Sequence, residues 1–480
     1  MPTPANILFI CTDQQRYDAL GCYGNEHIET PAIDQLAAEG VLFEQCYVQN
    51  PVCAPSRASL LTGRYVHAHG LYANGVALPE HEQFFTRALA GTGYDCGLIG
   101  KLHLAACQHG RTEPRHDDGF RFFAWAHDPY PGSSENQYHQ WLQARYPDLY
   151  AAARDTSNTQ TFDNLPTAAH YSHWVADRAI EFMREARDPD KPFCLFVNFF
   201  DPHHPFDAPK EYIERYDPAS LPRPIGRPDE LASKPPVQSE ASRRSYAGHA
   251  PGFAEYDHDG MQAIIAAYYA MVTLVDDETK RILETLDSLG LRDDTLVIFT
   301  SDHGEMLGDH HLLLKGPMMY EGAVHVPLIL RWPGHLPAGV RRSQLVEWID
   351  LCPTLLEVAG SPPFPRNQGM SLLPLARGDH DAPTRDWALC EYRSSGHASD
   401  PPVHVTMLRH EHYKIVVYHG APATSRERTG ELYDLETDPQ ELSNLWDDPE
   451  HRQTRYELQE LLLDVLVATE DRSQIRVADW

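Results

Sequence analysis

The chain has 480 residues, of which 42% are hydrophobic and 23% are charged, as in ordinary soluble globular proteins. Its formal net charge of −29 argues against nucleic acid and anionic membrane surfaces as partners. No run approaches the roughly 18 apolar residues that a membrane helix needs, and no basic segment precedes the first apolar run. Nine scattered cysteines do not suggest a disulfide framework. We therefore expect a cytoplasmic protein.

Predicted strands and helices alternate along most of the chain. Because such alternation is typical of a parallel sheet, we predict an α/β fold with a large, mostly parallel central sheet covered by helices. The apolar runs and helical patterns that support it are strands at 7–11, 41–47, 94–99, 193–200, 295–300 and 326–331, and helices at 30–40, 82–91, 168–187 and 261–289.

The pattern changes beyond residue 378. Residues 388–392, 403–408 and 413–418 look like antiparallel strands, residues 431–439 like a turn, and residues 449–468 like a closing helix. We therefore predict a main domain at 1–378 and a smaller C-terminal α+β subdomain with an antiparallel sheet at 379–480.

Two long segments, 105–165 and 208–259, have no clear periodicity and are predicted to be loops around a binding face. Their aromatic and histidine side chains would suit a sugar or an aryl group. The candidates are Trp125, His127, Tyr130, Trp141 and His249.

Polar residues follow four of the predicted strands. Because parallel strands place their carboxyl ends at one edge of a sheet, these residues should share one crevice. They are Asp13, Gln14, Lys101, His103, His203, His204, Asp302 and His303. Three oxygen-bearing side chains and one imidazole among them suit a hard divalent ion better than a thiolate-bound zinc. This predicted metal set is Asp13, Gln14, Asp302 and His303.

Residues 51–63, with the sequence PVCAPSRASLLTG, predict a short helix. Pro55 suits its first position, residues 57–61 continue it, and Gly63 can supply the left-handed stop. Cys53 then precedes a helix N-terminus, which favours an anion and lowers a thiol pKa. Arg57, one turn further on, could reach the same anion. The position alone leaves open a buried free thiol or a thiolate nucleophile.

The spacing C-x-P-x-R followed by A-S-L-L-T-G resembles the signature of type I sulfatases at every position. Residues 93–103 are similar to that family's second signature, G-Y-x-T-x-x-x-G-K-x-H, with Cys96 in place of threonine. Residues 202–205 resemble its P-H-x-P element, which selects His203. Lys315 matches a lysine that lies shortly after the second pair of metal ligands.

The resemblance implies an alkaline-phosphatase-like fold and a formylglycine-dependent sulfuric ester hydrolase. Cys53 would be oxidised to formylglycine by a formylglycine-generating enzyme, and the metal, held with residue 53, would be Ca²⁺, or Mg²⁺ or Mn²⁺ as alternatives. Arg57, Lys101 and Lys315 would offset charge, and Lys101, His203 and Lys315 would bind the substrate. His203 would protonate the leaving alcohol, and His103 would accept the proton that expels sulfate.

Two alternatives remain at the level of the sequence. Gln14 and His303 replace the Asp and Asn often seen in sulfatases, a pattern that also occurs in related phosphonate monoester hydrolases and phosphodiesterases. Those relatives usually lack a pair such as Lys101 and His103, so the balance favours a sugar or aryl sulfate ester. A protein that only binds a sulfated sugar is a third hypothesis. The sequence leaves the oligomeric state open.

Overall fold

The computed structural model describes residues 5–107, 110–129, 132–152, 165–248, 250–364, 366–395, 402–419 and 429–471. Its strands are β1 Asn6–Thr12, β2 Val41–Tyr47, β3 Asp95–Gly100, β4 Phe122–Trp125, β5 Phe193–Asn198, β6 Ala250–Pro251, β7 Thr295–Ser301, β8 His325–Arg331, β9 Val340–Glu347, β10 Trp387–Arg393, β11 His404–His410, β12 Tyr413–His419 and β13 Gly430–Asp434.

The helices of the described residues surround these strands. They are α1 Pro31–Ala38, α2 Cys53–Thr62, α3 Val66–His69, α4 Phe85–Gly91, α5 Gln137–Arg145, α6 Pro147–Ala152, α7 Tyr171–Glu181, α8 Lys210–Ile213, α9 Pro236–Arg243, α10 Ser245–Gly248, α11 His258–Ser288, α12 Glu321–Val324, α13 Leu351–Val358, α14 Leu373–Arg377 and α15 Arg452–Ala468. Within this part of the chain, none has both the length and the apolar character to cross a membrane.

Eight strands form the central sheet in the order β4-β3-β5-β1-β7-β8-β2-β9. The neighbours from β4 to β7 run parallel, whereas β8 is antiparallel to both β7 and β2. A separate antiparallel sheet of four strands has the order β10-β11-β12-β13. The predicted fold class is confirmed. The domain boundary at residue 378 stays a prediction.

Alternate side chains of β1 enter opposite layers of the core, as a strand covered on both faces requires. Ile7 and Phe9 pack in one layer, and Leu8 and Ile10 pack in the other, largely against the long helix α11. A third apolar cluster lies between the small sheet and α15. The sheet therefore sits between two helical layers, and β1 lies at its centre.

Several local predictions were wrong. Helix α2 begins at Cys53, not at Pro55, because N–H groups in the first turn have no intrahelical partner and proline is tolerated there. The segment 105–165 contains β4, α5 and α6 as well as loops. Residues 430–434 form the strand β13, not a turn, and the strand β9 was missed. Gly63 does end α2 with a left-handed φ of 67°.

Candidate active site

Asp13 and Gln14 follow the carboxyl end of β1. Gln14 has a left-handed φ of 69°, and its backbone N–H donates to Asp302 Oδ1 at 3.1 Å. The Gln14 side-chain amide donates to the buried carboxylate of Glu305, and its Oε1 accepts from Lys315 Nζ at 2.6 Å. Glu305 therefore fixes the orientation of the amide and keeps the Gln14 oxygen towards the site.

Asp302 and His303 follow β7, the parallel neighbour of β1. His303 Nδ1 is 2.9 Å from the carbonyl oxygen of Gly304, so Nδ1–H donates there and Nε2 is left free to bind a ligand. That Nε2 lies 3.1 Å from Cys53 Sγ. Arg57 Nε donates to Asp302 Oδ2 at 2.7 Å, which ties the helix α2 to this strand end.

Cys53 occupies the first turn of α2, and its thiol is buried among cationic groups. Lys315 Nζ lies 3.2 Å from its Sγ, and both His103 and His203 interact electrostatically with its side chain. Burial alone would raise the pKa of Cys53, but Lys101, Lys315 and His303 hold it well below its usual value. The surroundings of residue 53 therefore favour negative charge.

Lys101 and His103 lie just beyond β3. The strand turns at Gly100, where φ is 87° and a Cβ would come within 2.0 Å of the Asn198 carbonyl oxygen. Asn198 Nδ2 and Arg57 Nη1 both donate to the Lys101 carbonyl oxygen, at 2.7 and 3.0 Å. The Lys101 ammonium contacts Asp13 at 2.5 Å. This arrangement directs the cation into the crevice instead of into solvent.

His203 follows β5, and its Nδ1–H donates to the His204 carbonyl oxygen at 2.5 Å. Its Nε2 is thereby left for the site. Burial and the nearby Lys315 lower the pKa of His203 to about 4. The imidazole is thus neutral at neutral pH when no anion is bound.

Four groups that could hold a metal ion, Asp13, Cys53, Asp302 and His303, are all buried, and one ligand atom from each lies within 4.8 Å of the others. Burial would raise the pKa of Asp13, but Lys101, His203 and Lys315 hold it well below its usual value, so this carboxylate is charged. With the Gln14 oxygen beside them, these donors fit a hard divalent ion. All ten residues predicted for the site therefore meet at one end of the sheet.

Sequence reasoning missed several residues that build the site. Glu113 accepts the backbone N–H groups of His103 and Leu104, at 2.9 and 2.7 Å, and so holds the loop after β3. Asn74 Oδ1 accepts from the Ala54 N–H at 3.1 Å, and Asn74 Nδ2 donates to the Tyr246 hydroxyl at 2.8 Å. These residues belong to no strand end, and no local pattern in the sequence marks them.

The prediction that certain aromatic and histidine side chains face the substrate is mostly wrong. Trp125 is buried and donates to Glu113, and His127 is buried against Cys107. Trp141 packs against the core layer that contains α11. Tyr130 and His249 lie outside the described residues. From the segment 208–259 it is Tyr246 that lies beside the site, with its ring 5.9 Å from Lys315 Nζ.

Residues 5–361 match the family model described as sulfatase. The chain belongs to the sulfatase family. Its C-terminal part, residues 308–468, also matches the model described as N-sulphoglucosamine sulphohydrolase, C-terminal. The predicted enzyme class, a sulfuric ester hydrolase, is thereby confirmed.

Three relatives show the range of this sulfatase's neighbours. An arylsulfatase of Clostridium perfringens is 31% identical, over 97% of this chain and 95% of the relative. An N-acetylglucosamine-6-O-sulfatase of Bacteroides thetaiotaomicron is 26% identical, over 95% and 85%. The solved phosphonate monoester hydrolase of Agrobacterium radiobacter superposes with a TM-score of 0.83 at 28% identity, covering 99% of this chain and 98% of that one.

Proposed function

We propose that this sulfatase hydrolyses a sulfate monoester through residue 53 after its oxidation to formylglycine. The observation that carries the proposal is the position of Cys53 Sγ, 3.2 Å from Lys315 Nζ and near enough to His103 and His203 to interact with them electrostatically. In this structure Sγ stands in for the hydroxyl oxygens of the hydrated aldehyde. Cationic neighbours and two imidazoles are what an attacking oxygen and a departing sulfate need.

Asp13, Gln14, Asp302 and His303 would hold the divalent metal, with residue 53 beside it. We propose Ca²⁺, with Mg²⁺ or Mn²⁺ as alternatives, because the donors are three oxygens and one imidazole. Such an ion supplies Lewis-acid polarisation of sulfate oxygens when it is bound. A formylglycine-generating enzyme is the partner that maturation requires.

In the first step one hydroxyl of the diol attacks sulfur as its proton passes to solvent, and the bond from sulfur to the substrate oxygen breaks. Lys101 and Lys315 offset the charge of the sulfate group, while Arg57 holds Asp302 and the start of α2 in place. His203, with Lys315, provides the proton for the leaving alcohol. Because burial and Lys315 keep His203 neutral at neutral pH, the bound sulfate anion must raise its proton affinity.

In the second step His103 accepts the proton of the remaining hydroxyl. A carbonyl bond forms at residue 53, and the carbon–oxygen bond to sulfate breaks. Sulfate leaves, the aldehyde is restored, and water hydrates it for the next cycle. The second hydroxyl is the reason for an aldehyde here, since a serine sulfate would need water to cleave it.

We propose a sugar or aryl sulfate as the substrate. A sulfate monoester carries one negative charge, which suits a site where Lys101, Lys315 and Arg57 stand against Asp13 and Asp302. The Tyr246 ring lies 5.9 Å from Lys315 Nζ, and its hydroxyl accepts from the Asn74 amide, so a sugar or aryl leaving group would meet an aromatic ring and an amide here. The arylsulfatase and sugar sulfatase relatives support the same class.

Hydrolysis of a phosphonate monoester or phosphodiester is the second candidate. Two observations favour it: the likeness to a phosphonate monoester hydrolase and the presence of Gln14 and His303 among the proposed ligands. Such substrates replace one sulfate oxygen by a carbon or a second ester group, which needs open space beside residue 53. Hydrolases of that kind usually lack a pair such as Lys101 and His103, and we therefore favour the sulfate ester.

A substrate panel on one preparation tests the proposal. We expect 4-nitrophenyl sulfate or a sugar 6-O-sulfate to give a higher kcat/KM than phenyl phosphonate monoester or a phosphodiester. Peptide mass spectrometry of the same preparation should show formylglycine at residue 53. Full activity with unmodified cysteine would refute the mechanism, and a phosphonate preference would select the second candidate.

A further inference from the structure

His103 belongs to a second cluster of side chains that could bind a metal. His103, Cys107 and His127 are all buried, and one ligand atom from each lies within 4.8 Å of the others. Cys107 Sγ is 3.0 Å from His127 Nδ1, and the two imidazole rings meet edge to face with centroids 4.6 Å apart. His103 is only 6% exposed, and its Nδ1 has no hydrogen-bond partner among the described residues.

We propose that His103, Cys107 and His127 form a second metal site that takes a thiophilic cation such as Zn²⁺. One thiolate and two imidazoles are soft and borderline donors, whereas the site at Asp13 and Asp302 offers mainly oxygen. Three protein ligands leave one position for water, as in many zinc sites. The unpartnered Nδ1 of His103 completes the set.

The pKa values of Cys107 and His127 determine how metal binding should depend on pH. Burial raises the pKa of the Cys107 thiol, and burial with the nearby His103 and Lys101 holds the pKa of His127 well below its usual value. The thiol is therefore protonated and the His127 imidazole is neutral, with a lone pair to give. Binding forms a zinc–sulfur bond and releases the thiol proton to solvent, so affinity should rise with pH.

Zinc at this site would change what His103 can do in the reaction. A neutral imidazole has one N–H and one lone pair, so a metal on Nδ1 places the proton on Nε2. His103 then has no lone pair for the second hydroxyl of residue 53, and sulfate release stops. This consequence rests on the proposed function, whereas the site itself does not.

Cadmium, which gives a sulfur-to-metal charge-transfer band in the ultraviolet, reports the site directly. The titration uses the full chain carrying Cys53→Ser, because cadmium at Asp13, Asp302 and His303 then gives no sulfur band. We expect one saturable equivalent. Adding Cys107→Ser should abolish the band, and adding Cys22→Ser, which removes a half-buried thiol elsewhere, should leave it unchanged.

Adding His127→Gln to the Cys53→Ser chain keeps the Cys107 thiol and should weaken cadmium binding by about tenfold or more. Loss of a residue that only hydrogen-bonds a metal ligand already lowers metal affinity by about that factor. Thermal unfolding and circular dichroism establish that each variant is folded. A sulfur band that survives Cys107→Ser, or an affinity unchanged by His127→Gln, would overturn the site. Either variant alone suffices if the other fails to fold.

The activity of the formylglycine enzyme, saturated with its own divalent ion, tests the coupling. Zn²⁺ should inhibit, and Cys107→Ser, which should keep its zinc-free turnover, should raise the half-inhibiting concentration at least tenfold. The inhibited wild type should accumulate a sulfated peptide at residue 53. Cadmium binding without this trapped peptide would overturn the role of His103, and absence of the sulfur band would overturn the metal site whatever the activity.

Discussion

At residue 53, opposite charges are packed together with almost no solvent. Arg57, Lys101 and Lys315 face Asp13 and Asp302, and each of the five is no more than 4% exposed. A buried ion costs several kcal/mol unless it is paired, so these groups stabilise the fold only as a set.

Removal of the metal should abolish turnover. Asp13→Ala or Asp302→Ala deletes one of the two charged ligands that we propose, and activity should fall by more than about 100-fold. Mutation of a residue that only hydrogen-bonds a metal ligand already lowers metal affinity or activity by about 10- to 100-fold. Elemental analysis should show the loss of bound metal in the same variants. Chelator-treated, metal-free enzyme with full activity would show that the ligands are wrongly assigned.

His103→Ala and His203→Ala should fail at different steps. Without His103, one round of alcohol release should occur, followed by a stalled sulfate on residue 53, seen as a burst and a trapped peptide. Without His203, the first step should slow, most severely for leaving groups that need a proton. Rapid-mixing kinetics with good and poor leaving groups would separate the two. A shared slow first step without trapped sulfate contradicts these roles.

At the scale of elements, the loop after β3 depends on one carboxylate. Glu113 accepts from His103 N, Leu104 N and Trp125 Nε1, the last at 2.7 Å, and so joins this loop to the end of β4. The two strands are parallel neighbours. The position of His103 is therefore set by a residue ten positions away, inside a segment predicted to be a substrate loop.

Glu113→Gln should lower the free energy of unfolding by about 1–3 kcal/mol, because one backbone N–H then faces an amide NH₂ group. Turnover should fall as well, since His103 loses its backbone support. Glu135→Gln, at an exposed position in the same segment, is the control and should change neither quantity. Urea denaturation and single-turnover rates measure both. If the two variants behave alike, Glu113 does not hold the loop.

The strands that carry the site could be predicted because each is a continuous apolar run that ends abruptly in polar residues. That pattern follows from burial on both faces, and it located Asp13, Lys101, His203 and Asp302. The family signature then located Cys53. Physical chemistry alone left two interpretations of this cysteine, a buried thiol and a thiolate nucleophile. The contacts of Lys315 with residue 53 could not be predicted from spacing.

The missed elements lack that pattern. Strand β9 has exposed and half-buried residues over its first five positions, as an edge strand does, and β4 has only four residues. Strand β13, Gly430–Asp434, was taken for a turn because Asp-Pro follows nearby. Asn74, Glu113 and Tyr246 act through contacts with distant segments, and such contacts leave no periodic mark in the sequence.

For the molecule as a whole, a buried ion cluster joins the small sheet to the catalytic part. Lys414 on β12 contacts Glu321, at the start of α12, at 2.9 Å, and it also pairs with Glu441. The Glu441 carboxylate accepts the backbone N–H of Glu321 at 2.7 Å. Lys234 adds a bond from the segment 208–259 to Tyr433 at 2.6 Å. The C-terminal sheet thus supports the region that follows the proposed metal ligands Asp302 and His303.

Lys414→Met should therefore lower the free energy of unfolding by about 3–5 kcal/mol, because it leaves Glu321 and Glu441 buried without their cation. Lys210→Met is the control: that side chain is 67% exposed, and surface changes of this kind stay within about 0.5 kcal/mol.

Urea denaturation, followed by tryptophan fluorescence, measures both. Adding Glu441→Gln to Lys414→Met should recover part of the lost free energy of unfolding, because one of the two buried, unpaired carboxylates is removed. If Lys414→Met is no more destabilising than Lys210→Met, the sheet is held by apolar contacts such as those of Met407 and Val416 with the main core. The ion cluster would then make no net contribution to its docking.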